Sequence, residues 1–362
     1  MTKKLCGLMV VCPLFVFVLG GCGTGGKSPF VKTPKYAYAA NSSSGNVSQY
    51  TIGTNGHFSA MTPATVAAGT GPTSVTANPA GTCVYVTNGI SNDISQYTVG
   101  ANGELAAVTP ASVAAGAYPY FIAVDPSGTY AYAANANGNT ISQFAINANC
   151  GLTAITPATA VTGAHPRSIT VHPGGRYAYA ANNADNTVSQ YVINANGSLS
   201  AMTPATVAAG SGPVSVTVAP SGKYAYVANG TSNDISQYAI AANGSLSAMA
   251  PATIAAGTSP SSVAVDPTGM YVYVTNNITN NVSQYTIATN GALTPLNPPS
   301  EDAGAGPCSI SVDPSGRYAY VANGSGNSIS QYLIGNLGPL NAMIPATVSA
   351  GTGPNSIVTV AR

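Results

Sequence analysis

The amino-acid sequence predicts an all-β protein that folds as one seven-bladed β-propeller. Three observations carry this prediction: a unit of 47 residues recurs seven times, each unit contains four short β-type segments, and the first and last units are incomplete in complementary ways. Four-stranded units repeated at this period are typical of propellers, in which each sheet packs against its neighbours. The repeat is therefore the first feature to establish.

Aromatic residues and prolines define the repeat. The tripeptide Ser-Gln-Tyr recurs every 47 residues, with phenylalanine in one unit, and its aromatic residues are Tyr50, Tyr97, Phe144, Tyr191, Tyr238, Tyr285 and Tyr332. A proline recurs at the same interval, at Pro72, Pro119, Pro166, Pro213, Pro260, Pro307 and Pro354. Of the 21 tyrosines, only Tyr118 and Tyr120 lie outside repeated positions, so the others are expected in the core and in cross-strand packing.

One unit shows the predicted strands. Between Pro213 and Gly257 the β-type segments are Val214 to Ala219, Tyr224 to Ala228, Ile235 to Ile240 and Leu246 to Ala256. Turn residues such as Pro-Ser-Gly and Ala-Asn-Gly separate them, which is typical of short antiparallel strands. Each unit is therefore predicted to form one four-stranded blade.

The two ends of the repeat region predict how the ring closes. The first unit begins at Tyr36, already in a second strand, and the chain finishes with an inner strand, Asn355 to Val360, that has no blade of its own. Pairing these segments completes the seventh blade and removes an exposed sheet edge. The propeller is therefore predicted to span residues 36–362.

A family resemblance follows from two short motifs. Tyr-Val-Thr-Asn occurs at 85–88 and 273–276, and Asp-Pro-x-Gly turns occur at 125–128, 266–269 and 313–316. Over residues 36–360 the chain resembles the YVTN-repeat, lactonase-like seven-bladed propellers. The resemblance implies the fold directly. It implies function only broadly, because that family includes surface-layer and binding proteins beside enzymes.

The N-terminus is predicted to be an export signal and a lipid anchor. Residues 1–22 carry two lysines near their start, Lys3 and Lys4, and continue with the apolar run Leu5 to Val18, which has signal-peptide length. The run ends at Leu19-Gly20-Gly21-Cys22, which resembles a bacterial lipobox with Cys22 as the lipidated residue; the alternative is a plain secretory signal. Residues 23–35 would form a flexible tether. We therefore expect an extracytoplasmic protein, anchored to the bacterial cell membrane or outer membrane.

Composition excludes several classes of partner. Charged residues make up 5% of the chain and the formal net charge is +1, so no basic surface for nucleic acid is predicted. After Cys6, Cys12 and Cys22 are set aside, three cysteines remain, Cys83, Cys150 and Cys308, without a Cys-x-x-Cys spacing. We expect buried or incidental thiols, no metal site and no cofactor.

The candidate ligand site lies where two blades depart from the repeat. Tyr118, Tyr120 and Phe121 replace small residues, and the next unit carries His165 and Arg167 at the same loop. In a propeller this loop borders the central channel, where aromatic rings beside an arginine suit a planar or anionic ligand. The alternative is that the aromatic rings only plug the channel while Arg167 is solvated. The predicted partner is a small molecule, a glycan or an envelope protein.

Catalysis at this loop is an open alternative. In lactone-hydrolysing members of the resembled family, the loop is similar to Pro-Arg-His, with Asn-Glu in the following strand. Here Pro166 and Arg167 match, but Ser168 and the pair Asn182-Asn183 replace the histidine and the Asn-Glu pair. Our main interpretation is a binding or interaction module, with His165 and Arg167 as the catalytic candidates of the alternative, a 6-phosphogluconolactonase-like hydrolase with a degenerate acid/base set. A purely structural envelope component is the third possibility.

Other polar clusters are interpreted as structural. Asp125, Asp266 and Asp313 share one turn position, where Asx side chains cap their own turns. The Asn-Asp pairs at 92–93 and 233–234 are also expected to cap turns rather than to bind calcium, which needs six or more oxygens.

Overall fold

The computed structural model describes residues 34–361, which form 28 β-strands in seven antiparallel four-stranded sheets. From the channel outward, blade 1 consists of β28 (Pro354–Ala361), β1 (Pro34–Asn41), β2 (Asn46–Ile52) and β3 (Phe58–Ala67); blade 2 of β4 (Pro72–Ala77), β5 (Cys83–Asn88), β6 (Asp93–Val99) and β7 (Leu105–Ala114); and blade 3 of β8 (Pro119–Val124), β9 (Tyr130–Asn135), β10 (Thr140–Ile146) and β11 (Leu152–Val161). Blade 4 consists of β12 (Pro166–Val171), β13 (Tyr177–Asn182), β14 (Thr187–Ile193) and β15 (Leu199–Ala208); blade 5 of β16 (Pro213–Val218), β17 (Tyr224–Asn229), β18 (Asp234–Ile240) and β19 (Leu246–Ala255); blade 6 of β20 (Pro260–Val265), β21 (Tyr271–Asn276), β22 (Asn281–Ile287) and β23 (Leu293–Asp302); and blade 7 of β24 (Pro307–Val312), β25 (Tyr318–Asn323), β26 (Ser328–Ile334) and β27 (Leu340–Ser349).

The inner strands form a closed ring, which confirms the predicted propeller. Each inner strand contacts the inner strands of both neighbouring blades, including β28 with β4 and β24 with β28. At the seam, β1 pairs antiparallel with β28, and Tyr38 lies opposite Val358. The C-terminal strand therefore completes the blade begun by the N-terminal strands. β1 begins at Pro34, two residues before the predicted start.

The core lies between blades rather than within a single sheet. One cluster packs Tyr38 and Val47 of blade 1 against Val84 and Tyr97 of blade 2, and all four side chains are buried. A central strand such as β5 is buried along its whole length because both faces of its sheet are covered. This burial explains the near-continuous apolar and aromatic composition of the second strands.

Seven buried glutamines join each blade to the next. Gln237 donates from Nε2 to the carbonyl of Pro251 in its own blade at 3.1 Å and accepts the N–H of Leu293 in the next blade at 2.7 Å. The glutamines of the other Ser-Gln-aromatic tripeptides make the same pair of bonds. We call these seven residues the glutamine belt. An amide is required there because it donates and accepts at once.

Cys83 and Cys150 form a disulfide, so the expectation that both are buried or incidental thiols is wrong. The bond joins blades 2 and 3, with Cα atoms 5.4 Å apart and a sequence separation of 67. In another pair of blades the same two positions hold Tyr130 and Gly197, and the tyrosine ring lies directly over the glycine. The disulfide therefore replaces a repeated tyrosine–glycine contact, and both partners differ together.

The disulfide also changes a neighbouring hydrogen bond. In blade 3 the hydroxyl of Tyr132 donates to the carbonyl of Gly197 at 2.7 Å. The equivalent hydroxyl, that of Tyr85, is buried without a partner beside the disulfide. Between blades 2 and 3 the disulfide thus takes the place of one non-covalent contact and one hydrogen bond.

The predicted signal, the lipidation residue Cys22 and all but the end of the predicted tether at 23–35 lie outside the described residues. Within residues 34–361 no helix is long and apolar enough to cross a membrane.

Candidate functional site

One end of the central channel is lined by the residue that follows the proline of each inner strand. We call these seven residues the mouth ring: Thr73, Tyr120, Arg167, Val214, Ser261, Cys308 and Asn355. All seven line a cavity of about 470 Å³, a volume in the range of small-molecule sites. No two blades carry the same residue at this position. A ring of identical backbone positions therefore presents seven different side chains to one cavity.

The corner between blades 3 and 4 carries the aromatic and charged part of this ring. The guanidinium carbon of Arg167 lies 5.1 Å from the centre of the Tyr120 ring, which is a cation–π distance. Tyr118 stacks beyond Tyr120, with ring centres 6.4 Å apart and an interplanar angle of 28°. The structure thus brings three predicted residues into one stack.

Arg167 sets the electrostatics of the cavity. It is the one charged side chain among the described residues that line the cavity, and no carboxylate is found beside it there. Its Nε atom is buried and has no hydrogen-bond partner. Burial raises the pKa of Tyr120, and the charge of Arg167 opposes that shift only in part, so the phenol stays protonated. The cavity is therefore polar and positively charged, which suits an anion or a developing negative charge.

Tyr118 and His165 are held in a left-handed backbone conformation. Both have φ of 55°, at a repeat position that is glycine in four blades, Gly212 for example with φ of 65°. The backbone N–H of Tyr118 donates to Asn92 Oδ1 at 2.7 Å, and that of His165 donates to Asn139 Oδ1 at 2.8 Å. Side chains other than glycine adopt this conformation at a cost in free energy that surrounding contacts must offset.

His165 lies on the loop of Arg167 but is not among the residues that line the mouth cavity. Its Nδ1 atom is buried without a partner. Desolvation and, second, the charge of Arg167 lower the pKa of the imidazole, so the ring is neutral at pH 7. A neutral imidazole can accept a proton.

Phe121 forms part of the wall one residue deeper in the channel. The other six blades carry serine there, and Ser215 shows its role, accepting the Val263 N–H of the next blade at 3.2 Å. Phe121 cannot accept such a bond. It lines both the mouth cavity and a deeper cavity of about 300 Å³. The predicted residue therefore marks the boundary between two sections of the channel.

Two residues of the site are unsuited to nucleophilic roles. The Cys308 thiol donates to the carbonyls of Ala322 and Pro354, and burial raises its pKa to about 12, which keeps the thiolate unpopulated. Ser168 is buried and accepts the N–H of Val216 at 3.3 Å, as a structural serine would.

The Asn182-Asn183 pair divides between two roles. Asn182 is fully buried and donates to Thr187 Oγ1 and Ser189 Oγ within its blade. Asn183 lines the mouth cavity, where its Nδ2 donates to the Pro213 carbonyl at 3.3 Å.

The remaining polar candidates are structural. Asp125 accepts the N–H groups of Thr129 and Tyr130 at 2.7 Å, which confirms the predicted turn capping. Asp93 accepts bonds from Asn88 and Ser91 of its own loop. Within residues 34–361 no cluster of three or more histidine, cysteine or acidic side chains is arranged to hold a metal ion.

Sequence reasoning missed most of the mouth ring. It identified Tyr120 and Arg167, because these differ strongly from their neighbours, but not Thr73, Ser261 or Asn355. The available signal was the pattern itself, since this repeat position holds a different residue in every blade.

Comparison with known families decides the relationship. The sequence profile described as "Lactonase, 7-bladed beta-propeller" matches residues 27–160, 149–299 and 248–358. The chain belongs to this lactonase propeller family. No curated protein is significantly similar to it in sequence.

Solved structures with the same fold cover nearly the whole chain. A provisionally assigned 6-phosphogluconolactonase from Bacteroides fragilis is 21% identical, with a TM-score of 0.77, covering 91% of this chain and 99% of that one. The periplasmic gluconolactonase of Pseudomonas aeruginosa is 18% identical, with a TM-score of 0.76 and coverage of 91% and 99%. The hydrazine synthase of Kuenenia stuttgartiensis is also 18% identical, with a TM-score of 0.65 and coverage of 82% and 91%. At these identities the likeness shows the fold alone.

Proposed function

We propose that this member of the lactonase propeller family hydrolyses sugar lactones at the mouth of its channel. The observation that carries the proposal is Arg167, a guanidinium with an unpartnered buried Nε in a polar cavity that has no other charged lining residue among those described. Asn355 and Thr231 also line the cavity, and their amide and hydroxyl groups, which form no hydrogen bond within the described residues, suit the hydroxyl groups of a sugar.

The chemistry asks for charge stabilisation and for a base. Water adds to the lactone carbonyl and forms a new C–O bond, the ring C–O bond breaks, and the ring oxygen takes up a proton. A fixed guanidinium stabilises the oxyanion that develops on the carbonyl oxygen. In this proposal Arg167 has that role and then pairs with the carboxylate of the opened product.

The base in this proposal is His165, which lies on the loop of Arg167 outside the lining of the mouth cavity, so the proposal requires the attacking water to reach the imidazole at the edge of the cavity. Its lowered pKa keeps the imidazole neutral, so it can accept the proton of the attacking water and return it to the leaving ring oxygen. The absence of a carboxylate partner in the described lining predicts a modest rate, because nothing there stabilises the imidazolium.

The test is a panel of sugar lactones assayed by acid release, with matched arginine variants. Arg167→Ala is expected to lower kcat/KM about 100-fold, and Arg167→Lys to retain part of the activity. Arg317→Ala is the control, because Arg317 lies 5.5 Å over the Tyr318 ring in the same way but does not line the mouth cavity. Equal activity of both alanine variants would contradict the proposal.

A second candidate is a binding module without turnover. The missing carboxylate favours it, since the described lining offers no acid/base pair. Binding of a sugar acid that depends on Arg167, together with no hydrolysis across the panel, would select this candidate over the hydrolase.

We also propose that the protein works outside the cytoplasm, attached to membrane lipid through Cys22. Two features support this location: the lipobox-like segment at 19–22 and the Cys83–Cys150 disulfide, a type of bond that persists in oxidising compartments. Cys22→Ala is expected to abolish incorporation of labelled fatty acid and to release the protein from membranes. Continued labelling of that variant would contradict the anchor.

A further inference from the structure

We propose that a second cavity beside the mouth binds a neutral sugar ring, so that this face recognises a saccharide that ends in a lactone or sugar acid. The proposal rests on the proposed function of the mouth and specifies the class of its ligand. The cavity, which we call the Tyr118 groove, has a volume of about 690 Å³ and is lined by Tyr118, Ser43, Thr70 and Ile90, among others.

The groove and the mouth adjoin each other. Thr73 and Asn355 belong to the lining of both cavities. The stack of Tyr118, Tyr120 and Arg167 links the two linings, since Tyr118 belongs to the groove and Tyr120 and Arg167 to the mouth, with 6.4 Å between the tyrosine ring centres and 5.1 Å from Tyr120 to the guanidinium. A single ligand can therefore touch Tyr118 at one end and Arg167 at the other.

The groove differs from the mouth in charge. None of the described residues that line it is charged. Ser43 and Thr70 contribute side-chain hydroxyls that form no hydrogen bond within the described residues, whereas the Ser42 hydroxyl is occupied by the Gly353 carbonyl. Free hydroxyls can both donate and accept, as a sugar hydroxyl does.

Apolar surface in the groove is concentrated at two side chains. Tyr118 is half-buried, and 65% of the surface of Ile90 is exposed, so both side chains present apolar surface to the groove. A pyranose has an apolar face of C–H groups and a rim of hydroxyls. A rigid tyrosine ring covers such a face at small entropic cost, while the rim reaches the hydroxyl side chains.

Tyr118 also has a matched variant provided by the repeat itself. Its position is occupied by Gly71, Gly306 and other glycines elsewhere, all with positive φ. Tyr118→Gly therefore removes the ring without disturbing the backbone, and Tyr118→Phe keeps the ring while it removes the hydroxyl.

The test is calorimetric titration of the purified protein with gluconate, cellobionate and cellobiose. We expect wild type to bind cellobionate about tenfold more tightly than gluconate. Tyr118→Gly should weaken cellobionate binding much more than gluconate binding and so remove this preference, whereas Tyr118→Phe should keep most of it. Cellobiose should bind weakly to wild type. Tyr118→Gly should abolish this binding, whereas Arg167→Ala should retain it.

The outcomes separate the groove from the mouth. Equal affinity of wild type for cellobionate and gluconate, without Tyr118-dependent binding of cellobiose, overturns the groove. Equal weakening of both acids by Tyr118→Gly also overturns it, because Tyr118 would then act only through Tyr120. Tyr118-dependent binding of cellobiose, with neither acid held through Arg167, leaves the groove standing while the proposed mouth function fails.

Discussion

The glutamine belt and the mouth ring each take one residue from every blade, yet their compositions are opposite. The belt is glutamine seven times, buried and bonded to two blades at once, as Gln237 is to Pro251 and Leu293. The mouth ring is seven different residues around one cavity. In both sets the seven residues occupy equivalent backbone positions, one in each blade. The repeated residues therefore carry the fold, and the chemistry of the protein lies where the repeat is broken.

The Cys83–Cys150 disulfide breaks the repeat within the framework rather than at the mouth, and it should give the largest effect. Because the bond closes a long loop, removing it with Cys83→Ser and Cys150→Ser is expected to cost about 4 kcal/mol of unfolding free energy. Urea unfolding under oxidising and reducing conditions measures this loss.

A repeat-restoring variant is the control for that measurement. Cys83→Tyr with Cys150→Gly recreates the contact seen between Tyr130 and Gly197 and is expected to recover stability that no longer depends on reductant. If the tyrosine–glycine variant has an unfolding free energy as low as that of the double-serine variant, blades 2 and 3 cannot use the repeated contact.

The glutamine belt should give the next largest effect, on stability alone. Gln237→Ala leaves the buried Leu293 N–H and the part-buried Pro251 carbonyl without their partner, and the buried N–H alone costs about 1 to 3 kcal/mol. We expect a lower unfolding midpoint in urea and unchanged ligand affinity per folded molecule. A change in affinity at constant stability would contradict the separation of framework and site.

The mouth ring should show the reverse behaviour. Val214→Thr changes one cavity-lining residue to the type found in blade 2, and because Val214 is half-buried at the edge of a core cluster we expect a loss of unfolding free energy of no more than about 1 kcal/mol. We expect the lactone or sugar acid that this variant binds most tightly to differ from the one that wild type binds most tightly. An unfolding penalty as large as that of Gln237→Ala would place Val214 in the framework.

The pH dependence of stability should give the smallest effect. The pKa of His165 is lowered in the folded protein, chiefly by desolvation and then by Arg167, so the unfolded state binds this proton more readily. The contribution of His165 is fully present above its unfolded pKa of about 6.5 and is lost as the pH falls toward the folded pKa.

Replacing the histidine isolates that contribution. His165→Gly restores the residue that four blades carry. In this variant the unfolding free energy should change less as the pH falls below 7. An identical pH profile for wild type and variant, followed by urea unfolding, would show that the imidazole is not desolvated.

The fold could be predicted from the sequence because its determinants are repeated. Tyrosine, proline and glutamine at fixed spacing specify strands and neighbours seven times over, and closure by β28 followed from the incomplete ends. The disulfide was missed because the cysteines were treated one at a time. Their separation of 67 residues is also that of Tyr130 and Gly197, so pairing positions of the repeat would have revealed it.

The site could be predicted only in part. Tyr118, Tyr120, Phe121 and Arg167 were found because bulky or charged residues replace small ones. The sequence does not show that Tyr118 lines one cavity while Tyr120, Phe121 and Arg167 line another, since that depends on where the folded loop places each side chain. Ordinary residues such as Ser261 became part of the site only once the inner strands were placed around one channel.

A loop graft tests whether the broken repeat carries function: the loop of blade 5 replaces the equivalent loops of blades 3 and 4. The variant carries Tyr118→Gly, Tyr120→Val, Phe121→Ser, His165→Gly and Arg167→Val, which copies Gly212, Val214 and Ser215. Unfolding free energy and lactone turnover or acid binding are then measured on the same preparation. We predict a folded protein with an unfolding free energy near that of wild type, because the return of two left-handed positions to glycine offsets the lost packing of Phe121 against the core, with complete loss of turnover and binding. A graft that unfolds, or one that keeps its ligand, would contradict the claim that the broken repeat carries function while the repeated residues carry the fold.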